Sequence, residues 1–123
     1  MVKQILVVDD DDGVREIIQL SLEAAAGWDV LTAASGKEGI AIAKAKSPDL
    51  ILLDVMMPDE DGINVFHQLQ SEPLTQSIPT ILLTAKARMS EHQEFMKIGV
   101  RGIITKPFQA MQLVQQIKQM VDW

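Results

Sequence analysis

Asp54 follows a run of four aliphatic residues, Leu50 to Leu53, and precedes Val55-Met56-Met57-Pro58. An uninterrupted apolar run of that length reads as a strand buried on both faces. A carboxylate at its downstream end lies at the carboxyl edge of a parallel sheet, where open α/β proteins hold their ligands. A second acidic feature, Asp9-Asp10-Asp11-Asp12, follows another apolar run, Ile5 to Val8. Part of it suits a helix N-terminus, where Asp satisfies free N–H groups and complements the dipole, and this is the reading for Asp12 and, further back, Asp11. Asp9 and Asp10 directly follow the strand and point to the same edge as Asp54. If the two strands are neighbours, their end residues lie about 5 Å apart. Two carboxylates at that distance repel by about 3 kcal/mol at an effective dielectric near 20. Such a cluster either holds protons or binds a cation. With oxygen ligands and no Cys or His among them, Mg²⁺ or Mn²⁺ is favoured, and an unfilled shell leaves room for a phosphate. Thr84 follows Leu82-Leu83, and Lys106 follows Ile104-Thr105. They add a hydroxyl and an ammonium from two more strand ends, and Lys106-Pro107 is a place where a cis bond could fix the lysine's direction. Singly, a core threonine and a solvated lysine are ordinary; together with the acids they make a site for a phosphoryl group.

The elements that must position these groups are short. Five apolar runs recur, at Ile5 to Val8, Val30 to Ala33, Leu50 to Leu53, Thr80 to Leu83 and Ile103 to Thr105. Segments of helical period lie between them. In the first, Val14, Ile17, Ile18, Ser21 and Ala25 follow a helical stripe, and in the last, Val114, Ile117 and Val121 share a face beside Leu113 and Met120. Further helices are expected over about 36–46, 64–71 and 90–98, with Ser35 and Ser90 as caps and Gly27 and Gly99 at helix ends. Pro48, Pro58, Pro73, Pro79 and Pro107 fall in expected loops. Strands alternating with helices predict an α/β fold with a parallel sheet and right-handed crossovers.

Composition narrows the function. The chain has 123 residues, which predicts one domain over 1–123 and no output domain. There are no cysteines, which excludes disulfides and thiolate metal sites and suits a reducing compartment. No apolar stretch approaches the roughly 20 residues that span a bilayer, and Met1-Val2-Lys3-Gln4 lacks a signal-peptide layout. The expectation is a cytoplasmic protein without membrane contact. A net charge of −6, with the eleven Lys and Arg scattered, argues against direct nucleic-acid binding. Asp59-Glu60-Asp61-Gly62 is only part of a calcium loop, with Met57 at its first ligand position. Neither a Walker loop nor a dinucleotide glycine fingerprint is present. His67 and His92 read as solvated helix-surface residues, and Met89 and Met96 as core or rim methionines.

Four segments in order carry a family resemblance: Ile5 to Asp11, Asp49 to Pro58 with Asp61-Gly62, Pro79 to Ala85, and Thr105 to Phe108. Over its whole length the chain resembles the receiver domain of two-component response regulators, in particular the single-domain chemotaxis type. The resemblance implies a single doubly wound, five-stranded sheet of flavodoxin-like order 2-1-3-4-5. It implies that Asp54 accepts a phosphoryl group from a phosphohistidine on a sensor histidine kinase or phosphotransfer protein, and that a downstream protein target reads the result. Asp10, Asp54 and the backbone carbonyl of Met56 would bind Mg²⁺ (or Mn²⁺), with Asp9 acting through water. Lys106 would offset charge on the transferring group and Thr84 would hydrogen-bond the phosphoryl oxygen. The same resemblance makes helix one and its following loop the kinase-docking surface. Such a protein catalyses its own phosphorylation and dephosphorylation and turns over no other substrate.

Two other readings compete. Asp10-Asp11-Asp12-Gly13 after a strand also resembles the first motif of haloacid-dehalogenase-type phosphohydrolases, with Asp10 as nucleophile and Asp12 as acid/base. That leaves Asp54 unexplained, lacks a suitable second acidic motif and needs a longer chain. A pseudo-receiver that docks without taking phosphate conflicts with the full acceptor set, though Ile103 keeps it open.

Departures from the family pattern cluster around the readout. Met56 and Lys86 occupy positions that tune dephosphorylation in the family; Met56 cannot orient a water, which implies slow self-hydrolysis, and a core-filling role for it is a simpler reading that does not exclude this. Lys86 would steer the phosphoryl donor or stand as a solvated charge. Three residues before the motif lysine, where relatives carry Tyr or Phe, stands Ile103, and the chain has no Tyr. The resemblance therefore implies a weaker or differently routed signal to the face of helix four, strand five and helix five. In chemical-shift mapping, a phosphate analogue should disturb that face less widely than in aromatic-bearing relatives; an equally wide response would contradict this.

Overall fold

Strand and helix alternate along the chain because apolar runs alternate with segments of helical period. The computed structural model describes residues 2–58, 60–85 and 88–123. The elements are β1 (Gln4–Val8), α1 (Asp12–Ala26), β2 (Asp29–Ala33), α2 (Gly36–Lys46), β3 (Leu50–Asp54), α3 (Gly62–Ser71), β4 (Thr80–Thr84), α4 (Met89–Lys97), β5 (Gly102–Thr105) and, after a short 3-10 turn, α5 (Leu113–Val121). The five strands form one parallel sheet in the order β2-β1-β3-β4-β5, the doubly wound arrangement expected.

Side-chain alternation along each strand divides the core in two. Ile5, Val7, Leu50, Leu52, Ile81, Leu83 and Ile104 face one side, against Ile18 and Leu22 of α1 and Leu113, Ile117 and Val121 of α5. Leu6, Val8, Ile51, Leu53 and Leu82 face the other, against Ala43 of α2 and Val65, Phe66 and Leu69 of α3. Every residue of β3 and β4 is buried. Full burial of one such aliphatic side chain stabilises the fold by roughly 2 kcal/mol, so the apolar runs that flank the site residues also hold the sheet centre together.

Local chemistry sets the helix ends. Asp11 caps α1, its carboxylate accepting from the Val14 N–H, and Ser35 caps α2 in the same way through Glu38. Gly27 ends α1 in the left-handed region, φ 68°, where glycine carries no Cβ penalty. The helix N-terminus reading holds for both acids with the roles divided: Asp11 is the cap, and Asp12, the first helical residue, does not cap but adds its charge to the first turn. Ser90 does not cap α4 either. That helix begins at Met89, and its cap position, Arg88, makes no side-chain capping bond.

The stripe on α1 also differs from the pattern. Val14, Ile18, Leu22 and Ala26 meet the core, while Ile17 is 49 % exposed and Ala25 is exposed. Two helical stripes offset by one residue fit the sequence almost equally, and the sheet selects the one that buries Leu22. In α5 the buried face is Leu113, Ile117 and Val121, with Val114 at its border. Met89 and Met96 are exposed rather than core residues. Urea unfolding should separate the α1 stripes: Ile18→Ala costs about 3 kcal/mol, as expected for a fully buried isoleucine, whereas Ile17→Ala costs less than about 1 kcal/mol. Equal losses would show that the register of α1 is wrong.

Candidate functional site

Register brings the reactive groups to one edge. Val8 of β1 lies beside Leu53 of β3, so Asp9 and Asp54, each one residue further on, emerge side by side. Asp54 in turn lies beside Leu83 of β4, and Thr84 beside Thr105 of β5, which places Lys106 next along. The backbone continues these ladders past the strands: Asp9 N–H donates to Ala33 O, Val55 N–H to Leu83 O, and Lys106 N–H to Thr84 O at 2.7 Å. The strand ends are thus fixed up to the reactive residues themselves.

Asp9 and Thr84 are wholly buried, and Asp54 is 4 % exposed. The Lys106 ammonium reaches over both acids, 2.7 Å from Asp9 Oδ2 and 3.3 Å from Asp54 Oδ1. The peptide between Lys106 and Pro107 is cis. The other Asp9 oxygen accepts from the Asp11 N–H at 2.9 Å, and Asp54 Oδ1 also accepts from the Met56 N–H at 3.2 Å. Burial pushes the Asp54 carboxyl up to about 6, the Asp9 charge adds to this, and Lys106 with the Met56 N–H offsets part of it. Burial alone would lower Lys106. The hydrogen bond to Asp9 and the charges of Asp54 and Asp9 outweigh it and hold the ammonium above its ordinary value.

Asp9, Asp10 and Asp54 each offer a carboxylate oxygen, all within 4.8 Å of one another. Three carboxylates against the single ammonium of Lys106 leave a residual charge that a divalent cation balances. An oxygen-only donor set of this kind fits Mg²⁺. Asp10 is the exposed member, and its side chain makes no hydrogen bond or ion pair among the described residues.

The loop after β3 depends on a close backbone approach. Gly62 N–H donates to Val55 O at 2.8 Å, and Met56 bridges to Asp61. A Cβ at Gly62 would lie 2.1 Å from the Asp54 carbonyl oxygen. Only glycine lets α3 start this close to the strand end, and that start fixes the path of Val55 and Met56. The Met56 side chain is 62 % exposed, so it does not fill the core. Lys86 lies outside the described residues, as does Asp59 of the partial calcium loop.

Sequence reasoning missed Arg15. Its guanidinium donates to the Asp9 carbonyl oxygen at 2.7 Å and to the Asp12 carboxylate. The signal was the spacing, since Arg15 lies one helical turn beyond the acids on α1. Asp12, which the phosphohydrolase reading needs as acid/base, is almost fully exposed and lies outside the cluster of Asp9, Asp10 and Asp54. Ile103 is half-buried and packs on the core at the α3 and α4 side of the sheet.

A carboxylate whose pKa is higher in the folded than in the unfolded chain binds its proton more tightly when folded. Its contribution to stability therefore falls as pH rises from 3.8 to about 6. In metal-free buffer at pH 7.5, Asp54→Asn should gain on the order of 2–3 kcal/mol, and the gain should shrink as the pH falls through that window. Urea unfolding of both proteins across pH 4–8 measures this; a gain that grew toward acid would contradict the assigned environment of Asp54.

Comparison with known proteins matches this arrangement. Residues 5–118 fit the response regulator receiver domain model. The chain is 40 % identical, over 94 % of its length, to the phosphate regulon transcriptional regulatory protein PhoB of Pseudomonas aeruginosa, of which it covers 50 %. It is 39 % identical, over 96 % of its length, to the alkaline phosphatase synthesis transcriptional regulatory protein PhoP of Bacillus subtilis, of which it covers 48 %. The chain thus spans about half the length of the curated relatives it matches. Among solved structures, the chemotaxis response regulator CheY4 of Vibrio cholerae superposes with a TM-score of 0.91 at 28 % identity, covering 98 % of this chain and 100 % of that one. The receiver domain of the Francisella response regulator 1452 gives 0.86 at 30 % identity, covering 96 % and 95 %. Receiver domains are two-component signalling regulators rather than turnover enzymes; histidine kinases phosphorylate them, and they bind Mg²⁺ at an acidic pocket. With its acids, threonine and lysine set on the matched strand ends, the chain belongs to the response regulator receiver domain family.

Proposed function

We propose that Asp54 is the phosphoryl acceptor of this receiver, in a single receiver unit spanning 1–123. The observation that carries the reading is the position of Asp54: buried at the sheet edge, with Asp9 and Asp10 at cation-binding distance and Lys106 Nζ 3.3 Å away. A pKa of about 6 leaves this carboxylate largely ionised at neutral pH, while burial strips it of the water that would blunt a nucleophile. An Asp54 oxygen attacks the phosphorus of a phosphohistidine, the P–N bond breaks as the P–O bond forms, and the released imidazole nitrogen keeps the electron pair and takes up a proton. Asp10, Asp54 and the Met56 carbonyl would hold Mg²⁺ (or Mn²⁺), with Asp9 acting through water. Bound there, the ion neutralises charge on the transferring oxygens. Lys106, already paired with both buried acids, swings or shares its N–H donors toward the incoming phosphoryl group. Thr84, at the next strand end, supplies its hydroxyl to a phosphoryl oxygen and so registers the modified state.

The partner that donates is a sensor histidine kinase or a phosphotransfer protein, and the output is a contact with a downstream protein target in the cytoplasm. With a net charge of −6 and scattered basic residues, this domain does not itself grip nucleic acid. Met56 presents a thioether to solvent beside the acceptor, where it cannot orient an attacking water.

Incubation with acetyl phosphate and Mg²⁺ should add one phosphoryl-sized mass increment, which Asp54→Asn abolishes and chelation of the metal suppresses. The acyl phosphate should persist in the parent chain and decay several-fold faster in Met56→Asn. Labelling that survived Asp54→Asn would move the acceptor elsewhere, and an unchanged lifetime would remove Met56 from dephosphorylation.

A further inference from the structure

Four adjacent acids open α1, and the structure gives them different tasks. Asp9 is buried under Lys106, Asp11 caps the helix, and Asp12 pairs with Arg15. Only the Asp10 side chain is left without a partner among the described residues, and it is the exposed member of the cation cluster. What aims Asp10 at Asp54 is therefore the backbone that carries it.

Arg15 controls that backbone. Its side chain is 17 % exposed, and its Nη1 donates to the Asp9 carbonyl oxygen at 2.7 Å. That oxygen belongs to the peptide unit that continues into the nitrogen and Cα of Asp10. Because the peptide is planar, fixing the oxygen fixes the plane from which the Asp10 Cα–Cβ bond departs. Nη2 meanwhile holds Asp12 on the other side of the turn. The planar fork meets the two anchors with two separate nitrogens held in fixed relative geometry, which the one nitrogen of a lysine does not reproduce.

We infer that Arg15 is a positioning residue for the cation site, orienting Asp10 toward Asp54 through the Asp9–Asp10 peptide. The inference rests on the reading of Asp9, Asp10 and Asp54 as the Mg²⁺ site. It carries a sign that separates it from simple electrostatics. Arg15 is a cation beside an acidic cluster, so its removal on charge grounds alone strengthens Mg²⁺ binding. Loss of a positioning partner weakens it, typically by about tenfold or more for groups that orient metal ligands.

Mg²⁺ titration calorimetry on the full chain tests this, using unaltered protein, Arg15→Ala, Arg15→Lys and Asp10→Asn, each checked for folding by circular dichroism. The expected result is about a tenfold weaker Mg²⁺ affinity in Arg15→Ala and a loss nearly as large in Arg15→Lys, which keeps the charge but not the fork. Should Arg15→Ala fail to fold, Arg15→Lys decides alone. Affinity unchanged in Arg15→Lys, or tighter in Arg15→Ala, would overturn the positioning role while leaving the cation site intact. An unaltered chain that bound no Mg²⁺, or bound it as well with Asp10→Asn, would overturn the site itself and the inference with it.

Discussion

The structure turns on one electrostatic constraint: like charges brought together at a buried edge. Asp9 and Asp54 leave neighbouring strands side by side, both essentially out of solvent. At this spacing their repulsion amounts to several kcal/mol, and hydration is not there to relieve it. The Lys106 ammonium meets both acids, and the Asp11 and Met56 N–H groups take further lone pairs. The compensation is incomplete. Asp54 stays raised to about 6, first through burial and then through the Asp9 charge, and the excess negative charge of the three acids suits a cation at this edge.

That constraint is met only because the fold is stiff where the charges sit. β3 and β4 are buried along their whole length, and their ladders continue through Val55 and Lys106 beyond the last paired residues. The two cores lie on opposite sheet faces, so neither can relax to let the strand ends separate. Gly62 closes the remaining freedom by allowing α3 to begin against the Asp54 carbonyl. Stability lost to charge repulsion at the edge is offset by apolar burial a few residues away in the same strands.

Much of this was legible in the sequence, and the reasons are local. An unbroken run such as Leu50 to Leu53 has one reading when helices flank it, and Asp54 inherits its place from the strand. The strand order came with the family resemblance, not from the runs. The α1 stripe was harder. Val14-Ile18-Leu22 and Val14-Ile17-Ser21 differ by a small rotation of the helix, and only the docked sheet decides between them. Ser90 is chemically apt as a cap, but the helix starts one residue before it. The spacing of Arg15 from Asp12 records their pairing, but Arg15 and Gly62 also act on backbone atoms of Asp9, Asp54 and Val55, and no side-chain pattern records those contacts.

The far side of the site is built differently. None of the α4 residues is buried, in contrast to the fully buried strand β4 from which the chain leaves. An element held by so little apolar area shifts at low cost. Ile103 is half-buried, and it packs on the same core as Phe95 of α4 and Ile98 just beyond it. A branched aliphatic side chain with few rotamers has no large swing between inward and outward positions. If Thr84 moves toward a phosphoryl oxygen, the space it leaves can be taken up by small shifts among Ile103, Phe95 and Ile98, without an aromatic ring turning over. Such a route would link the state of Asp54 to the position of a loosely held helix, with an amplitude set by how far the packing of Ile103, Phe95 and Ile98 yields.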